Sequence, residues 1–274
     1  MKIIITIFLI SIVALSYSQG DTGIFKKHYN LFNPTPKNLM REFATDRPDA
    51  TESPYTVDAG HFQLETDLFK IERSESGGVT TINNFYSTTN IKIGITNVLD
   101  IQLVVSPIEV STISNGIAKT KTSKLADVTL RAKQNLWGND NGQTALAILP
   151  YIHIPTKNDR KFSVGILIPF SVSLPHGWGF GTQVGANIAK GITGYNSHVN
   201  FLASANISHS LFKNFDFFAE GAVSRDGEWK TYEYFLDGGF VFVLSSTIHI
   251  DTGIFCGLKN TSATTYFLGL SFRL

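Results

Sequence analysis

Residues 178–188 read Trp178-Gly179-Phe180-Gly181-Thr182-Gln183-Val184-Gly185-Ala186-Asn187-Ile188. Apolar or β-branched side chains hold the even positions, and Gly, Gln and Asn hold the odd ones. Because successive side chains of a β-strand point to opposite faces of the sheet, this order predicts a strand with one apolar face and one polar face.

The same period of two recurs from Gly60 to the last residue. It is clearest in ranges 62–68, 90–95, 99–105, 127–133, 215–220, 232–237, 248–254 and 266–274, and weaker near 144–154, 161–173 and 197–210. Repeated two-faced strands with turns between them are typical of an antiparallel up-and-down transmembrane β-barrel, here of about twelve strands of the usual ~9–11 residues. A soluble β-sandwich also alternates and is the main alternative.

The connections favour the barrel because they alternate in length. Short ones lie at 96–98, 138–142, 175–177, 212–214 and 244–246, and longer polar ones near 73–84, 106–124, 155–160, 190–196, 225–231 and 258–264. Short periplasmic turns and longer outer loops distinguish outer-membrane barrels.

Aromatic residues near the strand ends favour the same fold. They form one group on the short-turn side and another on the long-loop side: Trp137, Trp178, Phe212 and Phe215, then Tyr86, Tyr195, Trp229, Tyr232 and Tyr266. Such belts lie at the two membrane interfaces. The alternation also continues to Leu274, as in the C-terminal strand of outer-membrane barrels.

The chain begins like an exported protein. Lys2 precedes an apolar run from Ile3 to Leu15, and small residues lead to Ser18–Gln19. We expect residues 1–18 to be a cleaved signal peptide, because the run is shorter than the ~20 residues that a spanning helix needs. Residues 19–59 contain Pro34, Pro36, Pro48 and Pro54, which predicts an irregular N-terminal arm before a barrel over 60–274.

Composition excludes several functions. Lys and Arg total 23 against 22 for Asp and Glu, and removal of Lys2 with the signal makes the chain neutral, which disfavours a nucleic-acid partner. Cys256 is the single cysteine, so an internal disulfide is impossible.

Several segments resemble a known family. They are Thr45-Asp46-Arg47-Pro48-Asp49-Ala50-Thr51-Glu52-Ser53-Pro54 followed by Gly60-His61-Phe62-Gln63-Leu64-Glu65, and the stretches 125–133 and 149–156. Together they are similar to blocks of the barrel family named for a MetA pathway of phenol degradation, over residues 45–274. Lys157 stands where that family usually has Gly. The resemblance implies an outer-membrane transporter for small molecules, aromatic or hydrophobic ones among them.

If the apolar faces meet lipid, the polar faces line the lumen. The resulting candidates for pore lining or substrate binding are Glu65, Asp67, Lys92, Asp127, Arg131, Lys133, Glu220, Asp237, His249 and Asp251. The strand after residue 125 forms a mostly basic wall, and the last strands form a mostly acidic wall that also includes Asp216 and Glu233. Such walls fit a selective pore, but also a lumen closed by its own charge pairs and the arm. Phe218, Phe235 and Phe255 fall on the polar face too, where packing against one another is favoured over solute contact.

A charged motif precedes the first strand, formed by Asp46, Arg47, Pro48, Asp49 and Glu52. One hypothesis makes it a plug or latch at the periplasmic mouth, with Arg47 paired to Glu65 or Asp67. The alternative is a solvent-exposed turn.

Catalysis is not indicated by the sequence. His209 and Ser210 are neighbours that point to opposite faces of a strand, and no Ser is evidently placed beside His249 and Asp251. The histidines show no metal-ligand spacing, and no cofactor motif occurs.

The sequence therefore predicts an outer-membrane barrel of a Gram-negative-type bacterium for passive passage of small molecules. Its expected partners are outer-membrane lipid, the barrel-assembly machinery and a small-molecule solute. A structural or surface-binding barrel that uses its long outer loops is the alternative, and a lipid-modifying barrel enzyme is less favoured.

Overall fold

A computed structural model describes residues 29–105, 108–124, 127–140, 142–156, 162–190, 196–259 and 262–274. The signal peptide expected at 1–18, the first part of the arm, Lys157 and Tyr195 lie outside these residues. No helix in the described ranges is long and apolar enough to cross a membrane.

The described chain is a single antiparallel sheet of β-strands. The strands are β1 Phe62–Ser76, β2 Val79–Tyr86, β3 Thr89–Thr96, β4 Leu99–Val105, β5 Ile108–Ser114, β6 Lys119–Lys124, β7 Val128–Trp137, β8 Thr144–Ile154, β9 Ser163–Ser173, β10 Trp178–Lys190, β11 Ser197–Phe212, β12 Phe215–Arg225, β13 Tyr232–Ser245, β14 Ile248–Gly257 and β15 Thr264–Arg273. Two 3-10 turns, Lys37–Leu39 and Pro175–Gly177, are the helical elements of the described residues.

The sheet closes on itself because β15 pairs with β1. The first half of β1 pairs with β3 and its second half with β2, so β2 and β3 are two halves of one barrel strand. Likewise, β4 and β5 are two halves of one barrel strand, and β6 and β7 are two halves of another, because β4 pairs with β3 and β7 while β5 pairs with β2 and β6. The barrel thus has twelve strands, which confirms the predicted fold class.

Burial separates the two faces as the alternation predicts. Leu236, Val184 and Ile188 on the outer face are 56%, 53% and 52% exposed, whereas Gln102 and Lys133 on the inner face are completely buried. An apolar exterior around a polar interior is the reverse of a soluble domain, and it is the arrangement that a lipid environment stabilises.

Two of the predicted long loops are in fact strands. Range 73–84 is mostly the β1–β2 hairpin, and range 106–124 is mostly the β5–β6 hairpin. Gly77 and Gly78 both have positive φ, which permits a tight turn where the sequence suggested only a polar link. These hairpins extend one side of the barrel at the end opposite to the turns 97–98, 174–177, 213–214 and 246–247. We call the end of the barrel with the hairpins the outer end, and the end with these turns the short-turn end.

Candidate functional site

Residues 41–58 lie inside the barrel, whereas residues 29–40 lie at its short-turn end and are mostly exposed. Asn30 forms a β-bridge with Thr96, and Ala59 forms one with Gly94. A Cβ on Gly94 would lie 2.1 Å from the Asp58 carbonyl oxygen, so only glycine permits this close approach. We call residues 41–58, which cross the lumen between these contacts, the luminal segment.

Asp46 is the centre of a buried ionic cluster. Its carboxylate lies 2.5 Å from Lys92 Nζ and 3.5 Å from Arg131 Nη2, and it also binds Lys133 Nζ. Lys92 in addition binds Glu65. Burial by itself would raise the pKa of Asp46, but Lys133, Lys92 and Arg131 hold it well below its ordinary value. Asp46 is therefore ionised and tied to strands β3 and β7.

Arg47 binds a different sector of the wall. Its Nη1 lies 2.5 Å from Asp67 Oδ1 on β1, and its Nη2 and Nε donate to Asp251 on β14 at 2.7 and 3.1 Å. The guanidinium occupies the space that a side chain at Gly269 would need. Of the two partners suggested by the sequence, Asp67 binds Arg47, whereas Glu65 belongs to the Asp46 cluster.

Glu52 completes the ionic side of the luminal segment. Its carboxylate accepts a hydrogen bond from Arg131 Nη2 at 2.6 Å. Burial raises the pKa of Glu52 to about 7, and Asp46 adds to the rise while Arg131 and Lys133 oppose it. Glu52 therefore changes its charge near neutral pH.

The luminal segment meets strands β10–β12 through hydrogen bonds instead of ion pairs. The Gln183 side-chain amide donates to the Ala50 carbonyl at 3.3 Å and accepts from the Glu52 N–H at 3.1 Å. Thr51 Oγ1 lies 2.7 Å from Ser204 Oγ, and the Ala50 N–H donates to Glu220 at 2.7 Å. Thr51 also donates to Glu220, and Asn206 donates to Asp49. We call this set of contacts from Asp49 to Glu52 the polar latch.

A second ionic group near the short-turn end was not predicted. Arg41 Nε and Arg273 Nη1 lie 3.0 and 3.3 Å from the Asp58 carboxylate, and Arg273 also donates to the Arg41 carbonyl at 2.9 Å. Asp100, another residue that the sequence did not single out, accepts from the Val57 N–H at 3.0 Å. Arg273 and Asp100 stood on the predicted polar faces, but nothing in the sequence indicated their partners.

The structure therefore brings most of the predicted residues together in ion pairs and hydrogen bonds in and around the luminal segment. The members are Asp46, Arg47, Asp49, Glu52, Glu65, Asp67, Lys92, Arg131, Lys133, Glu220 and Asp251. Pro48 lines a cavity beside it, and Asp237 is buried opposite Glu220 in the β12–β13 pairing.

Other predicted residues lie apart from this network. Asp127 binds His153 at 3.2 Å near the outer end, and the His249 ring lies 4.6 Å from that of Phe43. Glu233 of the predicted acidic wall lies near the outer end of β13, where it is exposed and lines a cavity. Asp216 is only half-buried, near the short-turn end.

The inner-face aromatic residues do not act as one cluster. Phe218 is buried, and Phe255 stacks on Phe267 with ring centroids 5.0 Å apart. Phe267 also lies under the guanidinium of Arg47 at 5.7 Å. The aromatic side chains of β14 and β15 thus support the ion pair between Arg47 and Asp251.

Cavities remain on both sides of the luminal segment in the part of the chain that the structure describes. A lower cavity of about 370 Å³ lies between residues 44–55 and strands β9–β13, and a mouth cavity of about 750 Å³ lies at the short-turn end beside Arg41 and Arg273. An upper cavity of about 420 Å³ lies toward the outer end between β8 and β13, lined by Tyr151, Asn187 and Trp229 among others.

The described residues contain no group of three His, Cys, Asp or Glu side chains arranged to hold a metal ion. His209 stacks on Trp178 at 4.4 Å, and its Nδ1 is 3.1 Å from the Gly177 carbonyl oxygen. These contacts give His209 a structural role at the β9–β10 turn.

A closed twelve-stranded barrel with an apolar exterior and a charged interior defines a β-barrel of the outer-membrane porin type. Residues 45–274 match the family described as "Putative MetA-pathway of phenol degradation", and the chain belongs to that family. No curated protein sequence matches the chain.

Solved structures show the same fold at low sequence identity. An outer membrane channel from Pseudomonas putida F1 is 10% identical with a TM-score of 0.60, over 84% of this chain and 100% of the other. The NanC porin is 11% identical with a TM-score of 0.52, and the KdgM porin in complex with disordered oligogalacturonate is 8% identical with a TM-score of 0.50. Each covers 77% of this chain, and 100% and 98% of the respective porin chain is matched.

Proposed function

We propose that the protein is an outer-membrane channel for the passive passage of small molecules, and that the luminal segment is its plug. The observation that carries the proposal is the attachment of one short segment to several sectors of the lumen wall. Asp46 binds β3 and β7, Arg47 binds β1 and β14, and Thr51 binds β11 and β12. Buried charges are retained only when they are paired, so these contacts hold the segment in place.

The cavities support passage and not a solid interior. The lower, upper and mouth cavities occupy the barrel on both sides of the segment, and the upper one has the size of a small-molecule site. Leu167 and Leu202 contribute apolar surface to the upper cavity beside the hydroxyl of Tyr151. This mixture suits solutes with an apolar body and a polar group, which agrees with the aromatic or hydrophobic solutes that the family description suggests.

The outer-membrane location completes the proposal. We expect residues 1–18 to direct export and to be removed, with the barrel then inserted into the outer-membrane lipid by the assembly machinery. Mass spectrometry of the protein purified from outer membranes tests this, since the mature chain should begin near Gln19.

Single-channel conductance in planar bilayers is the decisive experiment. The mature protein is compared with a variant that lacks residues 29–59, and both are first shown to be folded barrels. Steady conductance that increases without the segment supports a plugged channel. Absence of conductance in both folded forms would contradict channel function.

A surface-binding role is the second candidate, and the β5–β6 hairpin favours it. This hairpin extends the barrel at the outer end, and Ile117 at its tip is 98% exposed. An Ile117→Ser variant should conduct like the parent protein in either case. It should lose binding to cells or extracellular matrix only if the hairpin is a docking element.

A further inference from the structure

The lower and upper cavities lie on the same side of the lumen, with one layer of side chains between them. On β10, Gly181 lines the lower cavity, Gly185 lines the upper cavity, and Gln183 lies between them on the same inner face. On β11 the same order runs Asn206, Ser204, Leu202. Because residues i and i+2 of a strand are about 6.6 Å apart, the barrier is a single row of side chains in contact with the polar latch.

The two sides of the luminal segment are held by different chemistry. Arg47 and Glu52 bind Asp67, Asp251 and Arg131 through buried ion pairs. The four residues between them, Pro48 to Thr51, reach across the lumen to β10–β12 through hydrogen bonds to two amides, one hydroxyl and the Glu220 carboxylate. The arm contributes no cationic side chain to these latch contacts. Breaking the ionic side would leave uncompensated buried charges, whereas water can replace the partners of the latch.

We infer that solute passes along the β9–β12 wall, and that residues 48–51 are the gate. This inference rests on the proposed channel function. When these four residues withdraw from Gln183, Ser204 and Glu220, the upper and lower cavities join while the ionic side stays in place. The plug therefore does not need to leave the barrel.

The loop is well placed for such a local movement. Arg47 and Glu52 fix its two ends, so its displacement is limited to about the width of one side-chain layer. Thr51 is the residue that meets both Ser204 and Glu220, which makes it the main closing contact. Gln183 is the second, since its amide binds the backbone on both sides of Thr51.

The test is a pair of reversible cross-links in the full chain, with Cys256→Ser to remove the native thiol. Thr51→Cys with Ser204→Cys ties the gate shut, because the native side-chain oxygens lie 2.7 Å apart. Thr56→Cys with Asn139→Cys is the matched control. It ties the same segment to the β7–β8 turn, away from strands β10–β12, where the native side chains meet at 2.8 Å. Oxidation closes each link, as does a short bis-methanethiosulfonate, which forms a disulfide with each thiol and releases methanesulfinate. Thiol titration shows that the link has formed, and conductance is recorded before and after reduction.

The expected result is loss of conductance on closing the 51–204 link, recovery on reduction, and unchanged conductance with the 56–139 link closed. Loss of conductance with both links would overturn the local gate, since the whole segment must then move. Unchanged conductance with the 51–204 link closed would also overturn it, because the route would lie elsewhere. If none of the folded variants conducts even after its cross-link is reduced, the proposed channel function itself is refuted.

A variant without cysteine provides an independent readout. Ser204→Val with Gln183→Leu keeps the approximate volume of both side chains but removes their hydrogen bonds to the latch. Open probability should rise several-fold in this variant, while Asp251, Asp67 and Arg47 keep their ion pairs. No increase in open probability from a folded barrel would count against the gate.

Discussion

Asp46 and Arg47 are neighbours in the chain, yet their side chains bind different sectors of the barrel wall. Asp46 Oδ2 lies 2.5 Å from Lys92 Nζ on β3, and Arg47 Nη2 lies 2.7 Å from Asp251 Oδ1 on β14. Successive side chains of an extended segment point in opposite directions, so one dipeptide can neutralise both a basic and an acidic patch of the lumen.

Arg47→Gln should loosen the plug and destabilise the barrel. It leaves Asp67 and Asp251 without their shared cation, and breaking a buried ion pair on one side costs about 3–5 kcal/mol. We expect a higher mean conductance and a lower midpoint of unfolding in urea. Arg73→Gln, on the exposed outer part of β1, is the matched control and should change neither measurement. Equal effects of the two variants would remove the special role of Arg47.

Gln183→Ala should raise conductance more than Gln102→Ala does. Both side chains are buried inner-face amides, but Gln183 binds residues 50 and 52 of the luminal segment, whereas Gln102 binds Asn90, Asp100 and Arg131 of the wall. Current recordings of the two variants under the same salt conditions compare them directly. A larger effect of Gln102→Ala would place the solute route on the other side of the lumen.

Channel opening should depend on pH through Glu52. With the gate closed, burial raises the pKa of Glu52 from 4.5 to about 7. Withdrawal of residues 48–51 lets water reach this carboxyl group while Arg131 still holds it, so the closed form binds the proton more tightly than the open form. Protonation of Glu52 therefore favours the closed form most below about pH 4.5. This contribution falls as the pH rises toward 7, and above that pH the Glu52 carboxyl group adds no further change. Open probability should therefore rise between about pH 5 and pH 8.

The control for this pH dependence is Glu52→Gln, which keeps the shape of the side chain but cannot titrate. Its open probability should be flat over the same range. If Glu52→Gln retains the full pH response of the parent protein, another group is responsible. Asp49 is then the next candidate, because burial and nearby Glu220 also raise its pKa.

Leu236→Lys should impair insertion, whereas Asp237→Asn should not. The two residues are adjacent on β13, with Leu236 56% exposed on the outer face and Asp237 buried inside. A Lys on the lipid face costs about 2–4 kcal/mol near the membrane midplane and less toward the interfaces. The folded fraction in lipid vesicles, followed by heat-modifiable gel mobility, measures the difference. Normal insertion of Leu236→Lys would mean that the outer face is not in contact with lipid.

The strands and their faces could be predicted because the information is local. Residues 178–188 and 248–254 show their alternation within one strand, and side-chain direction there follows from backbone geometry alone. The hairpin tip at Gly77 and Gly78 was local as well, but polar neighbours made it look like a loop. The latch residues Gln183 and Ser204 stood on the predicted polar face without any signal that set them apart.

The sequence by itself therefore determined a two-faced barrel, the charged character of its interior and the charged motif before the first strand. Only the tertiary structure decided which charges meet. Arg47 and Asp251 are 204 positions apart in the chain, and Asp46 and Lys133 are 87 apart. Such pairs form only after closure of β15 on β1 has brought distant strands around one lumen, where the cost of burying unpaired charge selects the partners.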